Sequence, residues 1–210
     1  MQVRPTTPDA LAESLAGQLA GRVPEGRWLR AAIDGATAAD PGALADALVA
    51  PIKAAGHAVQ RVSATDFLRP ASIRFEHGRH DADAFYWTWL DEGGLTREVL
   101  DPLGPDGTGR VLPSLWDAAR DRATRAGYVE LPPGGVLVLD GPVLLGRGLP
   151  LDFTVHLSLS DGALRRRTPE DERWTLPAYR RYAEECLPED SADVVVRWDD
   201  PRRPAVVAAN

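Results

Sequence analysis

Apolar positions along the chain follow two alternating rhythms. Leu11, Leu15 and Leu19 recur at helical spacing in "PDALAESLAGQLAG", where Asp9 can cap, and predict an amphipathic N-terminal helix over residues 8–20, within an N-terminal segment 1–24. After the break "GRVPEGR", the short apolar run "WLRAAIDG" closes on glycine and reads as a buried strand. Leu44, Ala47, Leu48 and Ile52 restore the helical period through residues 41–55, with Pro41 in the first turn, where its missing N–H costs nothing. "HAVQRVSATDF" predicts a second strand that runs out into polar residues, as strands at the carboxyl edge of an α/β sheet do. "GGVLVLDGPVLL" at 134–145 is the strongest strand signal, and "LDFTVHLSLS" at 151–160 and "ADVVVRW" at 192–198 supply two more. Residues 163–187 are helical in two pieces around Pro169 and Pro177. Between 69 and 133 the pattern is irregular and rich in Gly, Pro, Asp and Trp, with one short helix at 82–90; long segments of this kind are often functional. Near-continuously apolar strands alternating with helices predict an α/β fold, one domain over 1–210 with a parallel sheet covered on both faces.

Composition narrows the partners. A hydrophobic content of 44% supports a continuous core in 210 residues. A net charge of −7 argues against nucleic acid, whose phosphates reward an excess of Lys and Arg. No stretch approaches the ~20 apolar residues of a membrane span, and the first residues lack the apolar core of a signal peptide, so a cytoplasmic, non-membrane protein is expected. A single cysteine, Cys186, excludes an intramolecular disulfide and a thiolate-rich metal site, and reads as a half-buried helix residue. Of 24 basic side chains only Lys53 is lysine.

The segments "AIDGATAADPGALADAL", "VSATDF", "DADAFY", "LDPLGPDGTGR", "GGVLVLDGPVLL" and "ADVVVRWDDPRRP" follow one another in an order that resembles the uridine kinase family of P-loop phosphotransferases, in particular its divergent bacterial branch. The resemblance implies a three-layer α/β fold with a five-stranded parallel sheet in the order 2-3-1-4-5. It also implies ATP or GTP with Mg over the phosphate loop, a nucleoside or similar alcohol in the opposite cleft, a substrate-side region over 69–133 and an arginine-bearing lid over 161–182.

Laid on the pattern GxxxxGK[ST], Gly35 matches the first glycine and Ala36 and Thr37 open the loop, while the second glycine, the lysine and the hydroxyl residue fall on Asp40, Pro41 and Gly42. In a working loop backbone N–H groups cradle phosphate, the lysine reaches its outer oxygens and the hydroxyl binds magnesium. Asp40 puts a carboxylate where an anion should lie, Pro41 removes an ammonium and an N–H, and Gly42 has no ligating side chain. Lys53, roughly 17 Å or more along the next helix, cannot substitute. Arg166, Arg167 and Arg173 stand where the family carries its lid, with pairing to Glu170, Asp171 and Glu172 in a solvated turn as the plainer alternative. The family's base position falls on Thr65; Asp66, one residue later, serves only if the strand has already ended, and loop capping is its other role. Asp140, closing the third strand, is the surviving candidate for a metal- or water-positioning carboxylate.

Further substrate contacts implied by the resemblance are Arg74, His77, Asp83, Phe85, Asp117 and Arg122. His77, His80, Asp81 and Asp83 could bind a cation if they converge, although a polar surface loop is the simpler reading, and no metal ligand set is expected. His156, alternating with Val155 and Leu157, reads as a structural histidine. Two functions follow: a P-loop kinase fold that has lost ordinary ATP-dependent phosphorylation and acts as a pseudokinase or repurposed member, or an active kinase of a nucleoside or other small alcohol using Asp66 and the lid arginines. A third use of the altered loop, as a homodimer interface, stays open.

Overall fold

The computed structural model describes residues 3–207. Five strands run parallel: β2 (Leu29–Gly35), β3 (Val59–Ser63), β4 (Val136–Gly141), β5 (Phe153–Ser158) and β6 (Val194–Arg197). β2 is the centre: Ile33 lies opposite Asp140 on one side and Val155 on the other. Two three-residue strands, β1 (Val3–Pro5) and β7 (Ala205–Val207), pair antiparallel beyond β6, so the sheet has seven strands in the order β1-β7-β6-β5-β2-β4-β3. The parallel core keeps the expected order 2-3-1-4-5, counted along the chain, and the expected total of five strands is corrected to seven. The two added strands are too short to carry a periodic signal. They cover the edge of β6 that would otherwise offer unpaired N–H and C=O groups.

Helices α1 (Pro8–Ala20) and α2 (Pro41–Ala54) cover one face, where Leu11, Leu15, Leu19, Leu44, Leu48 and Ile52 pack on Ile33, Val138 and Val155. The cap of α1 is Thr7, whose hydroxyl accepts from the Ala10 N–H at 3.2 Å; Asp9 sits inside the first turn, where its charge favours the helix dipole. On the other face, Ala32, Leu137 and Leu139 meet Phe67, from the turn after β3, and Leu95 and Leu100 from the irregular region. The one short helix expected there is α3 (Ala82–Trp87), capped by Asp81 and ending three residues before the expected limit of 90; single helical turns over Ala71–Arg74 and Glu92–Leu95 and a π turn over Thr96–Leu100, too short to show a period, are added to it. Beyond β5 come α4 (Asp161–Arg167), a 3-10 segment over Glu170–Thr175, α5 (Leu176–Cys186) and the short α6 (Pro188–Ser191). The stretch expected in two helical pieces is in three: Pro169 separates α4 from the 3-10 segment, Pro177 sits in the first turn of α5, and Cys186 is half-buried. Among the described residues no helix is long and apolar enough to cross a membrane.

Leu48 is 0% exposed between α2 and the sheet. Replacing it with Ala should cost about 2–5 kcal/mol, from lost burial plus the cavity left behind, read as a lower midpoint in urea unfolding with an unchanged slope.

Candidate functional site

The carboxyl ends of β2, β3, β4 and β5 meet where the loop from Gly35 to Gly42 connects β2 to α2. Gly35 allows close packing: a Cβ there would lie 3.0 Å from the Leu157 Cβ and 3.3 Å from the Ala39 Cβ. Residues Thr37–Ala39 form one 3-10 turn that bonds to itself, with the Ala39 N–H donating to the Ala36 carbonyl at 2.7 Å and the Asp40 N–H to the Thr37 carbonyl at 3.0 Å. Thr37 is held from outside the loop: its N–H donates to the Tyr179 hydroxyl at 3.1 Å, and its own hydroxyl lies 2.9 Å from the same oxygen. Asp40 is left-handed at φ 54°, a conformation Asp tolerates better than most residues, at the position where the motif has glycine. Its carboxylate and carbonyl both accept from the Ala43 N–H, capping α2, and Pro41 fills the first turn. Four of the N–H groups from 37 to 43 are thus spent within the protein, and Pro41 has none.

Beside Gly42 lies Arg61 of β3. A Cβ on Gly42 would stand 2.8 Å from Arg61 Nη2, 3.4 Å from Asp140 Oδ2 and 3.6 Å from Asp40 Oδ1. Arg61 Nη2 donates to the Gly42 carbonyl at 3.3 Å and sits 3.1 Å from Asp140 Oδ1, while Nε is 2.9 Å from Asp46. Ser63 donates to Asp140 Oδ2 at 3.1 Å. The Arg61 Nε and Asp140 Oδ1 atoms have no aligned hydrogen bond, so charge, more than directed bonding, ties this cluster together. Burial pushes the Asp140 carboxyl above the ordinary carboxylate range, and Arg61 and Ser63 pull it partly back. An acid raised in the folded chain carries its ionisation penalty above its folded pKa and is relieved of it as pH falls through that value. Wild type should therefore lose stability relative to Asp140→Asn as pH rises from about 4 through the raised value of the folded chain, measured by urea unfolding at a series of pH values from about 4 upward.

The strand before Asp66 ends at Ser63, and Asp66 stands in the following 3-10 turn Ala64–Phe67, half-buried. Burial raises its carboxyl, opposed first by Ser114 and then by Arg61. Thr65, not Asp66, lines the adjoining cleft. This cleft, of about 270 Å³, is walled by the aromatic rings of Phe85, Trp89 and Trp174 and closed by Thr37, Thr65 and Arg147. Phe85 meets Trp89 edge to face at 5.2 Å and Trp174 at 5.8 Å between ring centroids. Arg147 is committed at its other side to Glu92 and to the Tyr86 and Val143 carbonyls.

Of the other residues expected at the site, few converge here. Arg74 is 5% exposed and bonds the Arg69 and Ala118 carbonyls, so burial lowers its pKa and it braces the irregular region. His77 is exposed, and Asp83 pairs with Arg181. Asp117 pairs with Arg120 at 2.9 Å and lines a separate depression with Arg122. Arg166 and Arg173 are exposed, and Arg167 donates to the Trp198 carbonyl at 2.7 Å. Among the described residues none of these three pairs with Glu170, Asp171 or Glu172, and no group of three His, Cys, Asp or Glu is placed to hold a metal.

With the sheet order and loop in place, comparison of the whole chain with solved structures decides the fold. A possible uridine kinase from Bacillus stearothermophilus matches with a TM-score of 0.71 at 20% identity, covering 88% of this chain and 96% of that one. The fold is that of the uridine kinase-like P-loop kinases. A proposed fructose transport system kinase from Silicibacter sp. TM1040 matches with a TM-score of 0.66 at 24% identity over 90% of this chain and 98% of that one. The YGR205w protein matches with a TM-score of 0.68 at 10% identity over 97% and 100%. No family model matches the sequence, and no curated protein does.

Within this uridine kinase-like fold, sequence reasoning missed Arg61, Trp89, Trp174, Tyr179 and the buried carboxylate of Asp34. Asp34 is 0% exposed and accepts from the Leu144 N–H at 2.8 Å, the Tyr182 hydroxyl at 2.8 Å and His156 Nδ1 at 2.6 Å. The available signal was an acid directly before the loop glycine in an otherwise apolar strand, together with Tyr179 and Tyr182 three apart on one helix face. Burial and the neighbouring Asp34 carboxylate raise the Tyr182 hydroxyl well above its usual range, keeping it a donor.

Proposed function

We propose that this chain is a small-molecule binding protein of uridine kinase-like fold, a pseudokinase or repurposed member acting in the cytoplasm, that takes a flat, nucleoside-like ligand in the aromatic cleft and does not transfer phosphate from ATP. The observation that carries the reading is the guanidinium of Arg61, which fills the space left by Gly42 and sits against Asp140. In the resemblance that space belongs to a hydroxyl and its magnesium ion. The residues present do not fit a nucleoside triphosphate with its metal: four of the six N–H groups from 37 to 43 are spent internally, a carboxylate stands in place of glycine, and a resident cation already meets Asp140.

The aromatic walls support a planar ligand, because ring faces stack on bases and other flat groups at little entropic cost. Trp89 and Trp174 also give a built-in reporter. Titration with nucleosides is expected to change tryptophan fluorescence, while the same nucleosides with MgATP or MgGTP give no phosphorylated product. Turnover on any of them would favour the second reading, an active kinase. What speaks for that reading is Asp66, placed past the end of β3 with a raised carboxyl.

A further inference from the structure

A second cleft, of about 590 Å³, opens on the other side of the loop, between the carboxyl end of β5 and helices α5 and α6. His156, Ser158 and Tyr182 line its inner wall, and Ala36 of the loop borders it. Its rim carries Asp161, Glu184, Glu189 and Asp190 against the single cation Arg180. The inner wall is wired. His156 is 8% exposed, and its Nδ1 lies 2.6 Å from Asp34 Oδ2, an ionisable acid with no exposure that also accepts from Tyr182 and the Leu144 N–H. In the neutral ring, an acceptor so placed holds the proton on Nδ1 and leaves Nε2 as the nitrogen with a lone pair to offer. Among the described residues the ring's one hydrogen bond is through Nδ1, and the ring lines the cleft. Ser158, two residues on and on the same strand face, is already engaged, donating to Glu189 at 2.5 Å.

We propose that this cleft binds a small ligand bearing a primary ammonium group, one N–H of which is accepted by His156 Nε2 while the rim carboxylates balance its charge. The chemistry is selective. Arg197 neutralises Glu189 and also donates to Ser158 at 3.4 Å, which leaves three acids unpaired among the described residues, Asp161, Glu184 and Asp190, against Arg180. A phosphate or carboxylate ligand would face that acidic excess, and an apolar ligand would leave the imidazole nitrogen unpaired, whereas an ammonium supplies both the positive charge and the donors. Asp34 acts as a positioning residue, fixing the ring's tautomer and orientation without touching the ligand. Glu184, Asp161 and Asp190 form no ion pair among the described residues and are free to meet the ligand; Glu189 is already paired with Arg197 at 3.6 Å. None of the groups proposed to meet the ammonium lines the aromatic cleft, so the proposal stands or falls separately from the function proposed above.

The test is a titration of histidine-¹⁵N-labelled protein with putrescine and n-butylamine, with butyrate as the anionic control. Expected are a Nδ1–H tautomer for free His156, a saturable shift at Nε2 with either amine at millimolar concentration, and none with butyrate. Glu184→Gln, an exposed change that leaves the fold intact, should weaken binding severalfold. His156→Gln should weaken it by about tenfold or more, the worth of a hydrogen bond to a charged donor. A proton found on Nε2 with Nδ1 bare, absence of a saturable amine effect, an equal response to butyrate, or affinity unchanged in Glu184→Gln would each overturn the proposal.

Discussion

Asp40→Gly, Pro41→Lys and Gly42→Thr, combined with Arg61→Ala, are expected to raise affinity for MgATP by about a hundredfold or more. Each charge change at the loop is worth on the order of 1–4 kcal/mol for unit charges ~4 Å apart near a surface, and tenfold in affinity is about 1.4 kcal/mol. Removing the Asp40 carboxylate and supplying an ammonium are two such changes. The fourth substitution matters because a Cβ at position 42 would come within 2.8 Å of Arg61 Nη2. Without it the arginine can swing aside but still competes for Asp140, so the three loop changes alone should give a smaller gain. Arg61→Ala alone strands the buried Asp140 without a cation, at a cost of about 3–5 kcal/mol if it stays ionised. Magnesium chloride should then stabilise the fourfold variant more than wild type, because the vacated position is again open to a divalent ion. Calorimetric titration and thermal unfolding with and without magnesium check both statements.

Asp34→Ala is expected to be strongly destabilising. It leaves three buried donors, the Leu144 N–H, the Tyr182 hydroxyl and His156 Nδ1–H, without an acceptor. Each such group costs about 1–3 kcal/mol, and breaking one network is less than additive, so a loss of roughly 3–5 kcal/mol follows. At about 2–4 °C per kcal/mol for a chain of this size, the midpoint should drop by about 10 °C. Tyr182→Phe leaves the carboxylate two other donors but strands the buried Leu145 N–H that the hydroxyl accepts at 3.1 Å, so its cost should be about 2–3 kcal/mol. Because α5 holds both this network and the Thr37 N–H, Asp34→Ala should also expose the loop to proteolysis before global unfolding.

The parallel core was legible because each of its strands is a short apolar run closed by Gly, Asp or polar residues, and because the motifs carried its order. β1 and β7 were not legible: three residues cannot show a period, and a terminal strand exists only by pairing with the rest of the sheet. The loop's departures at Asp40, Pro41 and Gly42 could be read residue by residue. What they do together could not, because Arg61 is brought to Gly42 by a strand pairing with β4 and not by nearness in sequence. His156 shows the same limit from the other side. Its alternation in β5 indicates a structural histidine, and one ring nitrogen is indeed satisfied, but only the fold shows that its partner is a fully buried aspartate and that the ring lines a cleft. Arg74, Asp83 and Asp117 each carry a plausible charge in the sequence, and each is held by a neighbour outside the aromatic cleft.

The most direct measurement is calorimetric titration of wild-type protein with MgATP, since Arg61 and the self-bonded loop are proposed to leave no place for a triphosphate and its metal. No saturable heat at millimolar nucleotide is the predicted result. Binding at micromolar concentration that depends on magnesium would contradict it.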